Sequence, residues 1–192
     1  MEIFLILFWI ILIVIILFAV YFNYYRKYSN AIKTKKYGNV SKDHTAIIII
    51  EYPGHPFKKL FIYASGVDRL VKGLRELEES YVIYPCRSRE EFLDVINKSE
   101  TKKIWILGHG VRHGIRIGKE VIYYCECQNA PKKDCIVQLH CNHQGGKSLA
   151  DYLCENKDNS YVSNDYRRVY DNVRDIDKII NNLKKKKLER KS

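Results

Sequence analysis

Hydrophobic positions fall into one long unbroken stretch followed by short runs and spaced stripes. Residues 3–22 contain no charge, Asn, Gln, Pro or Gly. At ~1.5 Å per residue a helix of that length covers about 30 Å, the thickness of a bilayer core. Strand-length apolar runs recur further on: residues 46–52 (AIIIIEY), 81–84 (YVIY), 103–108 (KIWILG), 136–139 (IVQL) and a shorter one at 161–163. Four consecutive isoleucines mark a strand buried on both faces, hence a central one. Between these runs apolar residues recur at helical spacing. Val67, Leu70, Val71, Leu74 and Leu77 form one stripe, Phe92, Leu93, Val95 and Ile96 a second. A short stretch at 147–154 and the series Val169, Val173, Ile176, Ile180 and Leu183 complete the set. Ser88, with Glu91 three residues on, predicts a capping box opening the helix at residues 89–97. Residues 60–64 fit a strand or a helix start equally, and 115–124 read as a hairpin turning at Gly118-Lys119. Strands alternating with helices predict an α/β fold, a three-layer sandwich around a mostly parallel sheet, preceded by one transmembrane helix.

The same pattern sets the expected boundaries. Residues 1–25 form the anchor, 26–43 a basic juxtamembrane tether, 44–183 the α/β domain and 184–192 a basic, disordered tail. Only Glu2 precedes the apolar stretch, and Tyr21, Phe22, Tyr24 and Tyr25 close it, which favours an uncleaved anchor with an aromatic belt over a signal peptide. Residues 26–36 carry five basic residues and no acid, so the positive-inside rule places the domain in the cytoplasm. The six cysteines are then expected as thiols.

The formal charge of +11 is concentrated at the ends, and residues 41–183 carry only +2. Basic segments beside an anchor match anionic lipid, so membrane lipid is an expected partner. A nearly neutral domain gives no support to nucleic acid as a partner.

Two apolar runs end in reactive side chains. IWIL leads into Gly108-His109-Gly110, and IVQL leads into His140-Cys141, with Gly145-Gly146 close behind. Sites in parallel sheets form beyond the carboxyl ends of the strands. A thiolate is the nucleophilic form of cysteine, and an imidazole beside it can take its proton. Gly110 leaves room for a substrate carbonyl next to its own N–H, which with the N–H of Cys141 makes an oxyanion hole. Arg112 and Arg116 are candidates for binding an acidic substrate side chain.

These segments, GHGVRHGIRIG and VQLHCNHQGGKSLADYL, resemble the caspase-like fold of clan CD cysteine peptidases, which includes caspases, legumains, gingipains, separases and CHAT domains. The resemblance follows the order of elements over residues 46–153 but touches residues only in these two segments. It implies His109 as catalytic base, Cys141 as nucleophile, Gly110 and Cys141 as oxyanion donors, and hydrolysis of a protein or peptide substrate without a cofactor. The chain departs from the family where His140 precedes Cys141 in place of a small residue, and where three residues separate Cys141 from Gly145.

Two alternatives stand beside a peptidase: an inactive, membrane-tethered interaction module of the same fold, and a small zinc-stabilised domain. Cys125, Cys127, Cys135, His140, Cys141 and His143 crowd together. Cys125 and Cys127 on a strand would face the same side. Their C-x-C spacing is tighter than structural zinc sites use, so no metal is assigned. His113 follows His109 by four residues, but the glycines at 110 and 114 predict a loop there. Gly145-Gly146-Lys147-Ser148 lacks the first glycine of a phosphate loop.

Overall fold

The computed structural model describes residues 2–33, 35–51, 56–140, 146–163 and 169–189, with side chains at 28, 31, 32, 56–65, 169 and 170 outside that description. A helix, α1 (Glu2–Lys33), opens the chain. Its stretch Glu2–Lys27 is long and apolar enough to cross a membrane. All of residues 3–18 except the half-buried Leu12 lie bare along it, with Phe4 81% and Leu17 63% exposed, so no part of the described domain covers this surface.

The strands and helices that follow are β1 (Lys36–Tyr37), β2 (His44–Ile50), α2 (Pro56–Glu76), β3 (Tyr81–Cys86), α3 (Arg89–Asn97) and β4 (Thr101–Leu107). Next come three short strands, β5 (His109–Val111), β6 (Gly114–Ile117) and β7 (Glu120–Tyr123), and a 3-10 turn at Tyr124–Cys127. β8 (Cys135–Leu139), α4 (Leu149–Leu153), β9 (Tyr161–Val162) and α5 (Val169–Glu189) complete the domain.

Six strands form one sheet in the order β1-β3-β2-β4-β8-β9, and only the β1 edge is antiparallel. The four-isoleucine strand β2 is central, with every residue buried. Its side chains alternate between two cores. Ile47 and Ile49 join Val67, Leu70, Leu74, Trp105, Leu107, Val137, Leu139, Ile176 and Ile180 under α2 and α5. Ile48 and Ile50 join Phe92, Val95, Ile104, Ile106, Ile115, Ile122, Ile136 and Leu149 on the opposite face. Continuous apolar runs are therefore explained by burial on both sides of the strand. Strands β3 and β4 flank β2, so the chain order reverses there, and the β2/β4 crevice is the switch point of the sheet.

Several local expectations change. The stretch expected as a tether carries regular elements: α1 continues to Lys33 and β1 pairs with β3, while Tyr24, within the expected anchor, packs on the α2/α5 core. β3 runs beyond the expected end at residue 84, through Pro85 to Cys86. Ile83 turns its N–H outward to Lys35 O at 2.8 Å. Pro85 shares that orientation beyond the end of β1, where no ladder donor is needed. Ser88 caps α3 by accepting from Glu91 N, but the Glu91 carboxylate accepts from Arg87 N at 2.6 Å rather than from Ser88, so the box closes one residue early. The expected hairpin exists with Gly118 at its turn (φ 60°), and β5 adds a third strand where a loop was expected around Gly110.

The tail departs most. Helix α5 reaches Glu189, and Lys184 and Lys187 dock on the end of α2 through Glu76 (2.5 Å) and Glu78 (2.8 Å), so residues 184–189 are ordered helix. Lys187 Nζ also donates to Leu77 O at 2.6 Å. The lysines lie in the last turns of a helix, where cations are favoured, and the acids they meet are remote in sequence.

Candidate functional site

Strands β4 and β8 are neighbours, parallel and in register, with Leu107 opposite Leu139. The sequence then places His109 two residues past Leu107 and Cys141 two residues past Leu139. Cys141 itself lies outside the described residues, as does His143. His109 is exposed at the start of β5, opposite Arg116 of β6. Gly110 is buried in the middle of β5, opposite Ile115. Gly108, the bend between β4 and β5, is required by close approach: a Cβ there would sit 2.7 Å from Ile50 Cγ1 and 3.4 Å from Ile115 Cδ1.

Arg112 and His113 form the two-residue turn between β5 and β6, and His113 adopts a left-handed backbone (φ 58°). Arg112 Nε donates to His113 Nε2 at 3.1 Å. The His113 imidazole lies against Gly146, so tightly that any Cβ at that glycine would meet the ring. The turn thus touches the chain just after the segment that carries Cys141. Arg112 and Arg116 both stay exposed, the first beside His113 and the second beside His109.

The flanks of that segment are tied to one buried polar network, which sequence reading missed. Gln138 Oε1 accepts from Leu149 N (2.9 Å) and Ala150 N (3.4 Å) at the start of α4. Its Nε2 donates to Tyr124 Oη at 3.3 Å, and the same two groups each lie 3.5 Å from His140 Nε2. The backbone donors assign the amide: its oxygen faces α4 and its nitrogen faces the histidine. His140, 2% exposed, meets both groups through Nε2. One side chain joins the residue before Cys141 to the helix that follows the glycines. Its signal was a lone polar residue inside an apolar strand, IVQL.

Glu51 was also missed. It directly follows β2, and it is 4% exposed. Arg87 Nε holds its Oε2 at 2.5 Å, and Glu51 N donates to Cys86 O at 2.8 Å. The signal was the acid directly after four isoleucines.

The described cysteines are all thiols. Burial pushes Cys86 up to about 12 and Cys127 and Cys135 up to about 11, so these are not nucleophiles at neutral pH. Cys125 and Cys127 do not line one face of a strand as expected. They sit on the 3-10 turn, one exposed and one buried. Among the described residues no three His, Cys, Asp or Glu side chains gather as a metal cluster.

No protein-family model matches the chain, and no curated protein matches it.

Proposed function

We propose that this chain is a membrane-anchored cysteine peptidase of caspase-like fold, with Cys141 as nucleophile and His109 as base. The register of β4 on β8 carries the reading, because it starts the segments bearing His109 and Cys141 side by side at the same edge of the sheet. In this reading His109 accepts the thiol proton and the thiolate attacks the peptide carbonyl. The N–H groups of Gly110 and Cys141 receive the developing oxyanion. His109 returns the proton to the leaving amine, and water then releases the acyl group by the reverse transfers. Arg112 and Arg116 recognise an acidic side chain of the substrate.

Helix α1 spans the bilayer in this reading, its bare apolar surface meeting lipid instead of water. The basic residues that follow hold the domain on the cytoplasmic side.

Alkylation by iodoacetamide, read by mass spectrometry of each cysteine at pH 7, tests the chemistry. Cys141 is expected to react at least about tenfold faster than Cys86, Cys127 and Cys135, and His109→Ala is expected to remove most of that advantage. A Cys141 that reacts slowly, or whose rate ignores His109, defeats the peptidase and leaves the non-catalytic interaction module as the better reading.

A further inference from the structure

We infer that the carboxyl edge of the sheet, the edge that carries the candidate site, rests on the phospholipid headgroups of the bilayer, with Arg112 and Arg116 meeting anionic lipid. The inference rests on the reading of α1 as a bilayer-spanning helix. It does not depend on any peptidase activity.

The sense of α1 against the domain decides which edge faces lipid. Just past α1, the Lys35 carbonyl accepts from Ile83 N at 2.8 Å, and Tyr37 stacks on Tyr81 with ring centroids 5.6 Å apart. Arg75, in the last turn of α2, lies 5.4 Å over the Tyr37 ring. Helices α1 and α2 therefore end beside one another at the amino edge of the parallel strands. Back from that point α1 packs along α2. Tyr21, Tyr24 and Ser29 are half-buried on one side of α1, and Tyr24 reaches the α2/α5 core. The two helices thus run in the same sense. Helix α2 connects the parallel strands β2 and β3, so it runs from the carboxyl edge to the amino edge. The apolar stretch of α1 consequently leaves the domain past the carboxyl edge.

The lengths agree with this placement. Eleven residues separate Phe22 from Lys33, a rise of about 17 Å. The seven residues of β2 span about 23 Å. The end of the apolar stretch stands close to the level of the carboxyl edge, and the headgroup layer around it meets that edge. Exposed there are Arg112 in the β5–β6 turn, Arg116 on β6, and Lys147 next to Gly146, which lies against His113. A guanidinium pairs with phosphate in the same fork geometry as with carboxylate. Cations held at an anionic leaflet are attracted to it. The lysines of α5 lie at the other edge. Ile176 packs at Gly66, Ile180 at Gly73, and Lys184 pairs with Glu76, so α5 also runs toward the amino edge. The basic tail then points away from the bilayer, and the lipid contact expected of it passes to the edge arginines.

The test measures depth in the full chain, reconstituted in phosphatidylcholine vesicles that contain phosphatidylserine and a small share of nickel-chelating lipid. Cys125→Ser and Cys141→Ser clear the background, and a nitroxide is attached at Arg112→Cys, Lys147→Cys or Lys185→Cys. Relaxation of the nitroxide by headgroup nickel is expected at least about threefold faster at residues 112 and 147 than at 185, given the about 23 Å between the edges. Should Arg112→Cys fail to fold, Lys147→Cys reports the same edge alone. Equal relaxation at the two edges, or faster relaxation at 185, overturns the inference and leaves the carboxyl edge open to a soluble partner. In vesicles of phosphatidylcholine alone the relaxation at residue 147 is expected to weaken. An unchanged value there overturns the contact of the arginines with anionic lipid. Loss of the chain from the vesicles on alkaline carbonate washing would show that α1 does not span, and the inference would fall with that reading. An unreactive Cys141 would sink the peptidase and leave these results unaltered.

Discussion

On the α2/α5 face of the sheet, Ile47, Ile49, Leu107, Val137 and Leu139 meet the apolar stripes of two long helices. On the opposite face the same strands also present Cys86 and Gln138, with His140 just past β8, and the partners are the two short helices α3 and α4, a small antiparallel sheet and a 3-10 turn. The buried network of Tyr124, Gln138 and His140 lies on that second side, at the carboxyl ends of the strands. One face is thus built for cohesion, whereas the other gives up some apolar contact to hold polar groups in place. The difference is physical, because a buried amide is stable only if each of its groups finds a partner, and those partners restrict where nearby chain can go.

The comparison breaks most readily on the apolar face. Ile49→Ala is expected to cost about 4 kcal/mol, since it removes a fully buried side chain from a packed core. Urea unfolding would show this as a lowered midpoint with an unchanged slope, and the alkylation rate of Cys141 should not change below the transition. If that rate moves as well, the two faces are not independent.

On the polar face, Gln138→Leu is expected to cost about 2 to 3 kcal/mol despite the similar side-chain size. It removes the acceptor of the Leu149 and Ala150 amides and the amide that donates to Tyr124 Oη. Here the alkylation rate of Cys141 should change too, because both flanks of its segment lose their tie. A loss of stability with an unaltered rate would make the network structural only.

A third effect, read against pH, concerns Lys133, also on the second side. It is 1% exposed, and its ammonium donates to Lys98 O (2.7 Å) and Thr101 Oγ1 (2.9 Å) at the end of α3. Burial, with repulsion from Lys102, lowers its pKa from 10.5 to about 8, against the pull of Glu100. The unfolded chain therefore binds the proton more tightly between about pH 8 and 10.5, so this group makes stability rise with pH across that window and contributes its full penalty below it. Denaturant midpoints of the wild type and Lys133→Met from pH 7.5 to 10 should show the wild type gaining on the variant. Parallel curves would show that Lys133 titrates as a free lysine.

Much of the fold was legible beforehand because it depends on local pattern. The run of four isoleucines announced a central strand, Ser88 announced the start of α3, and Gly118 the β6–β7 turn. Errors arose where a remote partner decided the outcome. Residues 184–189 look like a solvated lysine run until Glu76 and Glu78 are set beside them, where Lys184 draws the Glu76 carboxyl below its ordinary range. Lys36 and Tyr37 look like linker until β3 offers an open edge. At the candidate site, the strand ends that carry His109 and Cys141 could be read directly. Glu51 was passed over because an acid after an apolar run has no meaning until its neighbouring strand is known.

The sequence by itself determined that residues 3–22 form an apolar helix, that short strands buried on both faces alternate with helices, and that a histidine and a cysteine each stand two residues after such an apolar run in the sequence. Those properties follow from side-chain spacing along one segment. Tertiary structure alone decided that β2 lies between β3 and β4, that β4 and β8 share a register, and that His109 opens a second sheet opposite Arg116. Strand order and register are set by which surfaces pack together across the whole domain, and no single segment contains that information.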